Sequence, residues 1–446
     1  MQRIDVLRRD RADSTSWRFP MSLHRLVPVS LVLPLLAPSL AAGILTVGPA
    51  GSGAQFTEIQ AAVDAALDGD VILVRPGTYA AIVVEKPLRI LGDGTGTVRI
   101  EAPTESAVSI RGIAASEELV LSGVEAVSNR TVIHVQDCPG TVVLQGLVVS
   151  LASDTGIELE DCGRALVLDS RIQAGSVERG LGAVFARNSE VWIANTDITG
   201  VTIPVIFAHY FFTTSALDVA RSRLHVWRSR IRGGDGHPAL KASADGGAGI
   251  RATHSSVDVF GGPDSTVAGG QGVGPQASGI SHGGIGLELH ENSHARLQGD
   301  VLIQGGGEGP GGPIAPPVQV DATSSVTSEA EVFPSLASSA AQVALGSSFS
   351  LDLAGNAFGF QVLYLSLRTG PTKIYPNTEG FGLLVLDRAQ LVRITGEVLP
   401  TTGTSTVNFR VPTTPALLGS TLFFQSAEAF GGSFAISNPE LVTITR

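Results

Sequence analysis

A chain of 446 residues is long enough for about three ordinary domains, and its composition of 43% hydrophobic and 16% charged residues excludes wholesale disorder. Aromatic residues make up only 5%, so the core must be built from Val, Ile, Leu and Ala, which suits closely spaced strands. The net charge of −11 has the wrong sign for nucleic-acid binding.

Residues 1–20 carry scattered charge and no apolar run, and Met21 reads as the better start. From there "MSLHRLVPVSLVLPLLAPSLAAG" gives His24 and Arg25, an apolar stretch, and Ser39-Leu40-Ala41 as a small-x-small cleavage site, the pattern of a secretory signal peptide. Residues 1–41 are therefore expected to be a leader and the mature chain to begin near Ala42. The apolar stretch is interrupted by Pro28, Pro34 and Pro38 and is too short for a span, and no transmembrane segment is expected after it. Removing 1–41 takes away six Arg and three Asp and moves the net charge to −14.

Residues 56–67 predict a short amphipathic helix. Thr57 is placed to cap it with Gln60 three residues on, and Ile59, Val63, Ala66 and Leu67 make an apolar stripe. Asp68-Gly69 ends the helix and Val71 to Val74 begins the strands. From residue 138 an eleven-residue frame repeats: "CPGTVVLQGLV" (138–148), "CGRALVLDSRI" (162–172), "NSEVWIANTDI" (188–198) and "RSRLHVWRSRI" (221–231). A period in the twenties with alternating apolar residues means stacked coils. Aligned on their first residues, the frames send Thr141, Ala165, Val191 and Leu224 inward, then Val143, Val167, Ile193 and Val226, and finally Val148, Ile172, Ile198 and Ile231. Gly146, Ser170, Thr196 and Ser229 form a small-residue ladder able to bond to neighbouring backbone. Gly-rich insertions at 232–249, 261–284 and 305–316 are expected on one face of the stack.

The stretch "DGDVILVRPGTYAAIVVEKPLRILGDGTG" (68–96) resembles the first coil of right-handed parallel β-helix proteins of the pectin lyase-like superfamily, and the later coils are similar to its bacterial repeat branch. The resemblance implies an all-β fold over 42–333, a right-handed parallel β-helix capped by the short N-terminal helix. It does not specify function, since the superfamily contains lyases, hydrolases, esterases, epimerases and non-enzymes. Residues 334–342, "PSLASSAAQ", read as a linker, and 343–446 as a small β-sandwich of alternating strands.

Motifs of the superfamily's enzymes are missing. Gln136-Asp137-Cys138 matches a fragment of a pectin methylesterase site without its second Asp motif or Arg, and no polygalacturonase Asp pairs or Arg-x-Lys occur. Catalytic residues stay unknown. Outward positions instead bring Trp192, His225 and Trp227 together on neighbouring coils, with Asp169, Arg171, Asp197 and Arg230 beside them. Rings stack on sugar faces and Arg grips carboxylates, so this set can form a carbohydrate platform; equally, a cross-strand charge ladder needs no ligand. Cys138 and Cys162 hold the same place in successive coils, within reach of a disulfide or of two stacked thiols. Gly- and Asp-rich stretches at 233–238, 244–249 and 261–270 have the composition of Ca²⁺ loops without the strict repeat, and no cofactor or metal site is assigned. The expectation is a secreted or cell-surface β-helix that binds or is displayed on extracellular polysaccharide or envelope. A polysaccharide lyase or other uronate-active enzyme is the alternative, and a purely structural repeat protein the second.

Overall fold

The computed structural model describes residues 43–445, apart from 95, 151–154, 175–180, 201–212, 237–244, 263–264, 273–281, 308–313, 330–333, 373–383, 388–389 and 432. The expected leader and its cleavage site lie outside these residues. No described helix is long and apolar enough to cross a membrane.

Residues 44–329 form a parallel β-helix. Its first sheet has eleven strands, from Ile44–Val47 to Ser325–Glu329, and the second (Gly77–Ala80 to Leu302–Gln304) and third (Ile82–Val84 to Val318–Val320) have nine each. Every ladder within them is parallel, so each strand pairs with its counterpart one coil away. One full coil runs Arg164–Leu168, Arg171–Ala174, then Val184–Arg187. The inward columns, for example Val142, Ala165, Val191, Leu224 and Val257, fill one continuous aliphatic core. Each fully buried Val, Leu or Ile there contributes ~1.5–3 kcal/mol.

The inward set is as expected in three of the four frames. In the first it is shifted by one: Val142, Leu144 and Val149 point inward, and Val148 is 44% exposed. The cause is Pro139, an extra residue between Cys138 and Gly140 that the other frames lack; with a period of two, one inserted residue reverses every side chain that follows.

Two corners are made by single residues in the left-handed region. Between the first and second sheets these are Gly123, Gly146, Asp169, Asn195 and Arg228; between the third and first they are Gly112, Asp137, Asp161, Asn188, Arg221, His254 and Glu291. Gly, Asn and Asp adopt that conformation with least strain, which explains most of both columns. A hydroxyl follows each of the turns at Asp169, Asn195 and Arg228 and is bonded by the coil before it: Leu147 N–H donates to Ser170 Oγ (3.1 Å), Ser170 N–H to Thr196 Oγ1 (3.3 Å) and Thr196 N–H to Ser229 Oγ (3.2 Å). The expected ladder is present, except that Gly146 belongs to the turn column. A second ladder at the opposite corner joins Cys162, Ser189, Ser222, Ser255 and Ser293 in the same way.

The remaining corner, from second to third sheet, takes the long insertions after residues 232, 268 and 304. There the backbones stack directly. Gly247, Gly270, Gly284 and Gly306 each donate N–H to the carbonyl of the preceding member, starting from Gly234, all at 2.8 Å. A Cβ on any of these four would fall inside a neighbouring backbone group.

The helix spans Ile59–Ala65, buries Ile59, Ala62 and Val63, and touches the first strands of all three sheets, so it closes the end of the stack. It differs from expectation in two details. Its N-cap is Glu58, without a side-chain bond, because Gln60 is engaged with Val83: Val83 N–H donates to Gln60 Oε1 (2.7 Å) and Gln60 Nε2 to Val83 O (3.2 Å). Leu67 lies past the last turn and is 74% exposed. Lys86 Nζ satisfies the C-terminal carbonyls of Val63, Asp64 and Ala66.

The stretch expected to be a linker is ordered sheet: it contains the strand Ser335–Ser338 and starts Gln342–Ala344. These begin a C-terminal module in which Ser335–Ser338, Ser348–Ala354 and Thr404–Arg410 form one sheet. Gln342–Ala344, Phe360–Ser366, Val392–Val398, Thr421–Phe430, Ser433–Ile436 and Glu440–Thr445 form the other. Leu336, Leu351, Leu353, Leu363, Phe424 and Val442 share the core enclosed by the two. The larger sheet is buried on its far side too. Phe423, Ala427, Ile436 and Leu441 pack on the outward side chains of the helix's first sheet, from Val71 to Phe260.

Candidate functional site

The docking of that module decides where the expected site residues lie. Trp192 and His225 are register partners, and Trp227 stacks on Trp192 (centroids 5.1 Å) and on Phe260 (4.3 Å). The structure thus brings the three expected residues together and points them outward. They are nevertheless covered: Trp192, Trp227 and His225 are 1%, 3% and 5% exposed. Trp192 Nε1 donates to Glu190 Oε1 (2.8 Å) and the Arg164 guanidinium lies over the ring. His225 Nδ1 is 3.0 Å from Asp258 Oδ2, and Arg296 Nε donates to Asp258 Oδ1 at 2.9 Å. Burial works to raise the Asp258 carboxyl, but His225 and Arg296 outweigh it and hold the group below its ordinary range. Trp192, Trp227 and Phe260 are a docking surface for the chain's own C-terminal module, not an open platform. The apolar outward column Leu168, Ala194, Trp227 and Phe260 was the sequence signal that something covers the two tryptophans.

The polar members of the set behave differently. Arg171, Asp197 and Arg230 are register neighbours on the second sheet; the two arginines are exposed and Asp197 between them is half-buried. Asp197 sits 3.9 Å from Arg171 and 4.0 Å from Arg230. Asp169 is separated from them by the corner and turned toward the module. Its Oδ1 accepts from Asn195 Nδ2 (3.3 Å) and its Oδ2 from Gln145 Nε2 (2.9 Å).

Between the corner and the module lies a cleft of about 350 Å³, walled by Asp169, Asn195, Asp197, Arg228 and Arg230 from the helix and by Ser338 and Glu440 from the module. Arg228 Nη1 donates to Leu336 O (3.1 Å) across the seam. Glu440 is fully buried at the foot of the cleft. Its Oε1 accepts from Asn195 Nδ2 and from Asn438 Nδ2 (3.0 Å), and its Oε2 from Ser338 N–H (3.3 Å). Burial, reinforced by the charge of Asp169, pushes Glu440 up to about 8, and burial also raises Asp169. Sequence reasoning missed Glu440: a lone Glu heading the last strand carries no signal of its partner 271 positions away.

The third sheet carries a charged column that was also missed. Its outward members include Glu158, Phe185, Asp218, Arg251 and Glu288, one per coil. Arg251 bridges Asp218 (3.7 Å) and Glu288 (2.9 Å). Burial raises Asp218 to about 6 despite Arg251. The triplets Ile-Glu-Leu, Leu-Asp-Val, Ile-Arg-Ala and Leu-Glu-Leu, recurring once per coil, were the available sign.

Cys138 and Cys162 are two free, buried thiols, so the bridge considered from their spacing is not formed. Burial raises Cys162 to about 12, and its sulfur lies against the carbonyls of Glu160 (3.4 Å) and Val135 (3.7 Å). Among the described residues no three His, Cys, Asp or Glu are grouped to hold a metal ion.

No protein-family model and no curated protein matches the chain. Among solved structures it is similar to the enzymatically active domain of tailspike protein 2 of bacteriophage CBA120, at 10% identity over 87% of this chain and 73% of that one, with a TM-score of 0.37. It is also similar, at 10% identity over 79% of this chain and 88% of the other and a TM-score of 0.17, to a mutant tailspike protein of E. coli bacteriophage HK620 in complex with a pentasaccharide.

Proposed function

We propose that the chain is a secreted or cell-surface β-helix of the pectin lyase-like kind that binds extracellular polysaccharide. The sugar chain lies along the outward face of the second sheet and enters the seam cleft. The observation that carries this reading is the continuity of the Arg171–Asp197–Arg230 ladder, both arginines exposed, with an open cleft lined by Arg228, Arg230, Asp197 and Ser338. Coils rise by ~4.8 Å, within a factor of two of a sugar repeat, so successive ladder positions can meet successive residues of one glycan. Exposed ion pairs contribute little to stability, so the ladder loses little when a ligand carboxylate replaces Asp197 as partner. Trp192 and Trp227 take no part while the module covers them, nor does His225, which is buried against Asp258.

Binding of a panel of acidic and neutral polysaccharides by wild type and by the Arg171→Ala/Arg230→Ala variant tests the reading. Wild type should retain acidic glycans, less strongly at high salt. The double variant should lose at least ~10-fold in affinity with an unchanged melting temperature, as a pair of charge-assisted contacts implies. Absence of wild-type binding to every glycan would end the proposal, and release of unsaturated uronates would replace it with a lyase.

A further inference from the structure

The apolar contact between the module and the first sheet does not require carboxyl groups at its margin, yet two are there, one from each side, Glu440 buried and Asp169 half-buried. Asp169 comes from the corner of the coil and Glu440 from the module's last strand. One amide, Asn195 Nδ2, donates to both. The other donors to the pair are neutral: Gln145 to Asp169, and Asn438 and the Ser338 N–H to Glu440. Arg228 is the cation whose charge acts on both carboxyls, and its Nη1 is engaged with Leu336 O. Asp197 and Arg230 stand on the cleft wall and offset each other. Two carboxylates bridged by one amide and facing one guanidinium, one of them buried, cannot both ionise without repulsion. The cleft also opens this point to water, so a proton can exchange there with bulk.

We propose that a single proton on the Asp169–Glu440 pair holds the C-terminal module on the β-helix, and that its loss in mildly alkaline solution loosens the module and uncovers the Trp192–Trp227–Phe260 stack. The direction follows from linkage. The pair binds its proton more tightly when docked than free carboxyls do, so the stabilisation is complete below the ordinary carboxylate range. It declines as pH rises and is gone above about 8. The chain carries its own reporter, because two of its three tryptophans lie under the module.

The test is equilibrium unfolding of the full chain, with tryptophan emission recorded under native conditions, between about pH 5 and pH 9.5. One proton changes the equilibrium by up to about tenfold per pH unit. Wild type should therefore weaken by that slope between about pH 6.5 and pH 8, with emission shifting red, and level off above. Glu440→Gln, which keeps the acceptor and supplies N–H donors in place of the proton, should be flat over that window. Asp218, raised to about 6, acts below it and equally in both proteins. An unchanged slope in Glu440→Gln overturns the proposal, as does a wild type whose stability and emission stay constant from pH 6.5 to 9. If Glu440→Gln does not fold, Asp169→Asn replaces it: it leaves Glu440 buried but removes the neighbouring charge, so the pH window should move to lower pH, and an unmoved window overturns the proposal.

Discussion

The outward faces of the first and second sheets are built by the same coils and the same alternation, yet they meet opposite surroundings. On the first, Val120, Val143, Leu166 and Trp192 stand in one column and Leu168, Ala194, Trp227 and Phe260 in the next, all buried against the C-terminal module. On the second, the corresponding column reads Glu125, Val148, Arg171, Asp197 and Arg230, exposed apart from the half-buried Glu125 and Asp197. The inward residues cannot tell these faces apart, because both are Val, Ile, Leu and Ala. In a stack of coils the outward column records what lies on it. On these two faces the apolar and aromatic run marks the internal interface and the alternating charge the more solvated side, although the first sheet's Trp192 column continues into the buried polar residues His225 and Asp258.

The sharpest way to break the comparison is at the boundary between inside and outside. Val149→Asp places a charge in the core, where it has no partner, and should cost more than ~4 kcal/mol and abolish cooperative folding. Val148→Asp, one residue away, should stay within ~0.5 kcal/mol of wild type by chemical denaturation; equal effects would refute the register imposed by Pro139. Next come the covered rings: Trp192→Ala or Trp227→Ala should each cost ~3–5 kcal/mol. If melting curves moved by less than a degree, the module would not be docked on them. Thr196→Ala removes one rung of the corner ladder and should cost ~1 kcal/mol. Smallest of all, Arg171→Ala or Arg230→Ala should change stability by ~0.5 kcal/mol or less while weakening any acidic-glycan binding, which separates affinity from folding on this face alone.

Much of the coil architecture was legible because it is local and periodic. The alternation in 162–172, 188–198 and 221–231 placed the core correctly, and the small hydroxyls at 170, 196 and 229 announced the corner ladder. The 138–148 frame failed at a single inserted Pro, since alignment on the cysteine hides a shift that hydrogen-bonding register exposes. The site was less legible because it is assembled from distant chain segments. Asp169 meets a carboxyl from strand Glu440–Thr445, and the fate of Trp192 and Trp227 depends on Phe423, Ile436 and Leu441. The hint was in the module itself: "TLFFQSAE" and "ELVTIT" are buried at every position, as strands covered on both faces are. Phe424 faces the module's core and Phe423 the coil.

The glycine stack at the corner between the second and third sheets has a consequence for how this gene can vary. Every missense change at a glycine codon adds at least a methyl group, and at Gly247, Gly270, Gly284 and Gly306 that methyl has nowhere to go. The loops leaving this corner differ in length from coil to coil, so the corner accepts insertions and deletions between its fixed points. Its inheritance is therefore permissive in length and strict in letters: diversity in this protein should accumulate as loop-sized indels flanked by unchanged glycines rather than as point substitutions.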